Sequence, residues 1–187
     1  MEYKQTHPKP LEVRIKDACE ELGILDTRVS EVRFSETPPW SHPSLSSCEE
    51  VGSKKTHLPE DLKAKFLSHV SEKHSGSVHL YTDGSKLNEG VGLAVVAPDS
   101  TTTCKLDPSC SVFTAELSAV EIALRIINKY AANDFTIFSD SQSVISAVKQ
   151  YSPFHPLVRS IQDWLRSLHS RKKRVSFCWV PAHVGIH

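Results

Sequence analysis

The chain has 187 residues and a mass of 20.8 kDa, enough for one domain with a sizeable extra segment or for two small domains. Hydrophobic residues make up 39% and charged residues 24%, with 7 Gly and 11 Pro, which excludes collagenous, low-complexity and highly charged disordered classes. Lys and Arg (22) balance Asp and Glu (22), so attraction to a polyanion has to come from a local patch.

The first organised stretch is Leu11 to Leu25. Leu11, Ile15, Ala18, Cys19 and Leu22 recur at helical spacing and Gly23 offers a stop, so an amphipathic helix that packs on a partner face is expected. Thr37 to Lys55 carries Pro38, Pro39 and a Ser-rich run with little periodicity, and reads as an extended linker. After Pro59 a short helix ends near Gly76, with Leu62, Phe66, Leu67 and Val70 expected on its inner face. Residues 1–76 thus form an N-terminal helical and Pro/Ser-rich segment, and residues 77–187 a second region.

From Ser77 the pattern changes. Val78, Leu80 and Thr82 alternate with His79 and Tyr81, a strand expected to end at Asp83-Gly84-Ser85. Gly90 to Ala97 and Thr101 to Leu106 are two further strands of an antiparallel meander. Phe113 to Tyr130 is the clearest helix, with Phe113, Leu117, Val120, Leu124 and Ile127 in one stripe. A strand over Phe135 to Phe138 leads into a helix from Ser141 to about Tyr151. Ser152 to Pro156 is a Pro-broken turn, Leu157 to His169 a helix, and Arg174 to Val180 the last strand. The order β-β-β-α-β-α-α-β predicts an α/β fold with a five-stranded mixed sheet flanked by helices.

Five cysteines without a C-x-x-C pair argue against a disulfide framework or a structural zinc site and fit a reducing compartment. Met1 to Pro10 is polar and holds no apolar signal core, and no run of about 18 apolar residues is present, so an intracellular protein, cytoplasmic or nuclear and away from membranes, is expected. Arg171-Lys172-Lys173-Arg174 is the one basic cluster, read as a solvated helix end, with phosphate contact as its alternative.

Three acids stand out. Asp83 and Asp140 each follow a core strand, where loops converge into sites, although either also suits a turn or a helix cap. Glu116 lies about 60° from Phe113 around the helix, at the edge of the apolar stripe, and no Lys or Arg is within a turn of it. A carboxylate there is costly unless paired or bound to a cation. Together the three suggest a site for hard divalent cations, which prefer oxygen ligands; two such ions roughly 4 Å apart can activate water and stabilise a leaving phosphodiester oxygen.

Tyr81-Thr82-Asp83-Gly84-Ser85, Thr114-Ala115-Glu116-Leu117, Ser139-Asp140-Ser141-Gln142 and Trp179-Val180-Pro181-Ala182-His183-Val184-Gly185, in that order, resemble type 1 ribonuclease H over about residues 77–187. Residues 1–76, through Pro38-Pro39-Trp40 and the path into Tyr81-Thr82-Asp83, are similar to the segment preceding this domain in non-LTR retrotransposon polyproteins, so a reverse transcriptase domain in a parent polyprotein is an expected partner. The resemblance implies hydrolysis of the RNA strand of an RNA–DNA hybrid with two Mg²⁺ or Mn²⁺ ions. It assigns Asp83, Glu116 and Asp140 to the metals and His183 to proton transfer or product departure. Gly84, Ser85 and Gln142 match positions at the hybrid's minor groove, where 2′-hydroxyls distinguish RNA from DNA. The family pattern also holds a fourth metal-binding Asp about ten residues beyond His183, opening a final helix, and a basic protrusion where this chain has Ser152 to Pro156. The 187 residues contain neither, so the expectation is a recognisable fold with part of the sheet uncovered and little or no hydrolysis. The alternative is a non-catalytic hybrid-binding module or retroelement remnant; a related transposase or integrase would carry its Glu on a later helix.

Overall fold

The computed structural model describes residues 10–23, 47–48, 59–88, 90–150 and 154–180, with backbone alone at 47–48 and 59–62. The chain divides into two compact units, Met1–Phe34 and Ser35–His187. In the first, helix α1 runs over Leu11–Glu21 and ends at Gly23, whose φ of 66° is the left-handed value a helix terminus favours. Leu11, Val13, Ile15 and Leu22 are exposed, and no residue of α1 is buried. The expected partner face is therefore not found among the described residues of this unit.

The second unit contains strand β1 (Ser47–Cys48), helix α2 (Pro59–Lys73), strands β2 (Val78–Leu87), β3 (Gly90–Ala97) and β4 (Ser100–Leu106), helix α3 (Val112–Ile127), strand β5 (Asp134–Ser139), helices α4 (Gln142–Val148) and α5 (Pro156–Ser170), and strand β6 (Arg174–Trp179). The sheet order is β1-β6-β5-β2-β3-β4, antiparallel across β2-β3-β4 and parallel across β2-β5-β6-β1. The α/β fold and its five expected strands are present. A sixth, two-residue strand joins them from the Pro/Ser-rich stretch, pairing Ser47 with Phe177 and Cys48 with Cys178.

Alternation along the strands sends side chains to two layers. On one side Leu80, Leu93, Val95, Phe135, Ile137 and Phe177 pack against Leu117, Val120, Leu124 and Ile127 of α3 and against Ile161, Leu165 and Leu168 of α5. On the other side Phe66 of α2 meets Phe138 edge-on at 5.6 Å, with Cys178, Val70 and Tyr81 around them. This helix covers part of the face that the sequence left open. Phe66 and Val70 share its inner face, as expected. Leu67, one residue and 100° away, is 51% exposed, a correction to the predicted stripe. Leu62 lies among residues whose side chains are not described.

The basic cluster is largely committed to the fold. Lys173 donates through Nζ to the carbonyls of Ile127 (3.2 Å), Tyr130 and Ala132 (3.2 Å), beyond the C-terminus of α3, where a cation complements the helix dipole. Arg171 bonds Asn128 Oδ1 (2.6 Å), and Arg174 pairs with Asp134. No helix among the described residues is long and apolar enough to cross a membrane.

Candidate functional site

Strand register explains why two distant acids meet. The β2-β5 ladder runs from Val78↔Phe135 to Thr82↔Ser139. Asp83 and Asp140 are the next residues on two adjacent parallel strands, so both lie at the carboxyl edge where a crevice forms. β2 does not end there as expected. Its antiparallel partner β3 carries it to Leu87, with Asp83 opposite Ala94 and Ser85 opposite Gly92. Asp140 leaves β5, and Ser141, not Asp140, is the N-cap residue of α4. The Trp179 indole donates to the Asp140 carbonyl (3.0 Å), and Val180 N–H donates to Ser139 O (3.0 Å), which fixes this turn against the end of β6.

The third acid arrives from α3. Ser111 caps that helix by accepting from Thr114 N–H (3.0 Å), and Lys86 of β2 donates to the carbonyls of Cys110 (2.8 Å) and Pro108 (3.2 Å) in the approach loop. The start of α3 is thereby tied to β2. Glu116, on its first turns, is 5% exposed. Its close approach requires Gly84: a Cβ there would lie 2.6 Å from Glu116 N and 2.9 Å from the Ala115 carbonyl carbon, both backbone atoms. Gly84→Ala is expected to push α3 outward, to destabilise the domain by about 1–3 kcal/mol as overpacking does, and to impair metal binding. Denaturant unfolding with parallel metal titration checks both; unchanged stability and affinity would remove the constraint.

One oxygen on each of Asp83, Glu116 and Asp140 lies within 4.8 Å of the other two. Glu116 Oε2 is buried with no hydrogen-bond partner. Burial first, then the negative charges of Asp140 and Asp83, raise the Glu116 carboxyl from its ordinary 4.5 to about 7, although Gly84 N–H donates to it and opposes the shift. A buried, partnerless carboxylate oxygen beside two further carboxylates suits a hard cation with oxygen ligands. The fold thus brings together the three acids that are separated along the sequence.

Of the other predicted positions, Ser85 is exposed on β2 one alternation beyond Asp83, Gly84 sits between them, and Gln142 is exposed at the start of α4. His183 lies outside the described residues. A shallow groove of about 430 Å³ runs from Asp83 and Ser85 across Gly92 and Ala94 to Thr103 and Lys105. Gly92 and Ala94 keep its floor low because neither carries a side chain beyond Cβ. Sequence reading missed the supporting contacts of Trp179 and Lys86, since each depends on a partner brought close by the sheet and loops rather than by local spacing.

Residues 75–187 match the family model described as RNase H. Among curated proteins none matches the chain.

Proposed function

The chain belongs to the RNase H family, and from that membership we propose that residues 77–187 bind RNA–DNA hybrids and hydrolyse the RNA strand with divalent cations held by Asp83, Glu116 and Asp140. The observation that carries this reading is the buried, partnerless oxygen of Glu116 within reach of both aspartates. Magnesium is the fitting ion for an all-carboxylate set, with manganese as its substitute. Two such ions, when bound, make water nucleophilic near neutral pH and stabilise the leaving oxygen of a phosphodiester.

The protein's own groups do the rest. Gly84 N–H fixes the Glu116 carboxylate, and the interior of β2 and the turn after β5 hold the aspartates before substrate arrives, so little reorganisation is needed. Ser85 and Gln142 offer polar groups to a minor groove, and His183 is assigned to proton transfer or product departure by the family pattern. Selection by sugar and groove shape leaves little base specificity. The retroelement origin is part of this proposal and rests on Pro38-Pro39-Trp40 and the path into the first motif.

The groove gives the hybrid a track, with Lys105 at its far side. Lys105→Ala is expected to weaken hybrid binding equally across sequences and to reduce the slope of log affinity against log salt by about 0.7–0.9, the contribution of one phosphate contact. Binding titrations at several salt concentrations read this directly, and an unchanged slope would take Lys105 off the path.

The test of the function is incubation of the 187-residue protein with labelled hybrid, double-stranded RNA and duplex DNA in Mg²⁺ or Mn²⁺. Cleavage confined to the hybrid's RNA strand, and lost in Asp83→Asn, is the result this reading requires, against the sequence expectation of little or no hydrolysis. A second reading, a hybrid-binding module without turnover, would use the same acid cluster and groove. Metal-dependent hybrid binding without cleavage would establish it. Neither binding nor cleavage would overturn both.

A further inference from the structure

A second set of ligand atoms is assembled on the sheet face that α2 covers, and the hybrid-cleaving reading makes no use of it. His69 lies on α2, His74 immediately follows it, and Cys178 is on β6; one ligand atom from each lies within 4.8 Å of the other two. Cys178 is fully buried and His74 is 8% exposed. The Nδ1 of His74 is hydrogen-bonded to Thr136 Oγ1 (3.0 Å), which is itself bonded to Ser77 Oγ (2.8 Å), so coordination by this ring falls to Nε2. The Nε2 of His69 is buried with no hydrogen-bond partner. Leaving a buried ring nitrogen unsatisfied is unfavourable unless something binds there.

We propose that His69, His74 and Cys178 hold a zinc ion that fastens α2 to the sheet.

Two imidazoles and a thiolate are the donor types zinc prefers, whereas magnesium and manganese favour oxygen. Ordinary zinc bonds of roughly 2.0–2.3 Å imply ligand–ligand edges of roughly 3.3–3.6 Å in a tetrahedron, so the three side chains need to close by at most about 1.5 Å. Thr136 acts as the outer partner that sets the tautomer and orientation of His74, an arrangement typical of metal-bound histidine. No local cysteine pair marks this site, because its thiol comes from a strand about a hundred residues beyond the histidines and reaches them through the fold.

The test uses the full 187-residue protein, stripped with chelator and titrated with Co²⁺, whose thiolate-to-metal charge-transfer band reports a sulfur ligand. One equivalent should generate that band, and Zn²⁺ should abolish it by displacement. Cys178→Ser should remove the band while Cys104→Ser keeps it. His69→Ala should weaken zinc binding by more than about tenfold, and Thr136→Val by about 10–100-fold. Asp83→Asn should leave the band and zinc affinity unchanged, so this proposal and the hybrid-cleavage reading stand or fall separately. A wild-type protein with no such band, or a band that survives both Cys178→Ser and His69→Ala, would overturn the proposal. If Cys178→Ser does not fold, His69→Ala decides it, because that substitution keeps the thiol and removes a partly exposed ring.

Discussion

Glu116→Gln raises the stability of the metal-free protein above pH 7 and removes the stabilisation that added Mg²⁺ gives the wild type. In the folded chain the Glu116 carboxyl titrates at about 7, and in the unfolded chain near 4.5. Between those values the folded state retains a proton that the unfolded state has released. Stability therefore falls as pH rises through this window and levels off above 7. The full shift is discounted for solvent screening at the partly exposed Asp83 and Asp140 end of the cluster, which leaves a gain of about 1–2 kcal/mol for the amide at pH 8. The amide keeps an oxygen for Gly84 N–H and introduces no charge opposite the aspartates. Denaturant unfolding at pH 5 and pH 8, each with and without Mg²⁺, separates the components. Wild type and variant should converge at pH 5 and diverge at pH 8. A Glu116→Gln protein that is less stable at pH 8, or equally stabilised by Mg²⁺, would mean that the acids do not repel one another and share no ion.

The second large effect is on catalysis. Asp83→Asn lowers RNA-strand cleavage in hybrids on the order of 10³-fold, since a metal ligand that organises transition-state charge contributes several kcal/mol and each 1.36 kcal/mol is a factor of about ten. Asp83 is exposed within β2 and its charge repels that of Glu116, so its neutralisation should not destabilise the fold. That separation of activity from stability distinguishes a reacting-site carboxylate from one that shapes the fold. Single-turnover cleavage with saturating protein reads the chemical step without confusion from hybrid affinity. A loss of less than about threefold would place the cleavage elsewhere. A loss matched by global unfolding would make the residue structural.

The elements legible in the sequence are those with strong periodicity and short range. The α3 stripe from Leu117 to Ile127 announces a helix buried on one side, and Glu116 at its border announces an acid with an unusual environment. Alternation over Val78 to Thr82 identifies a strand. The same local reasoning takes Asp83-Gly84 for a turn, because Gly most often marks one. Here the glycine stays in the strand and admits the backbone of α3, a reason that exists only once the helix is packed. Ser47 and Cys48 pair with β6 through two residues, too few to make any alternation visible. The meeting of Asp83 with Asp140 depends on the Thr82↔Ser139 register, and the meeting of His69, His74 and Cys178 on the docking of α2. Neither relation is encoded in spacing along the chain.

The most direct measurement of the central claim is Mn²⁺ binding, followed by the loss of the free ion's paramagnetic resonance signal, for wild type and for Asp83→Asn, Glu116→Gln and Asp140→Asn at pH 8. Manganese favours the oxygen ligands of the acidic centre over nitrogen and sulfur, so the zinc-type cluster does not interfere. The prediction is wild-type binding that weakens at least about tenfold in each of the three variants. Binding that is absent from the wild type, or undiminished when any one of the three carboxylates is removed, would contradict a shared cation site.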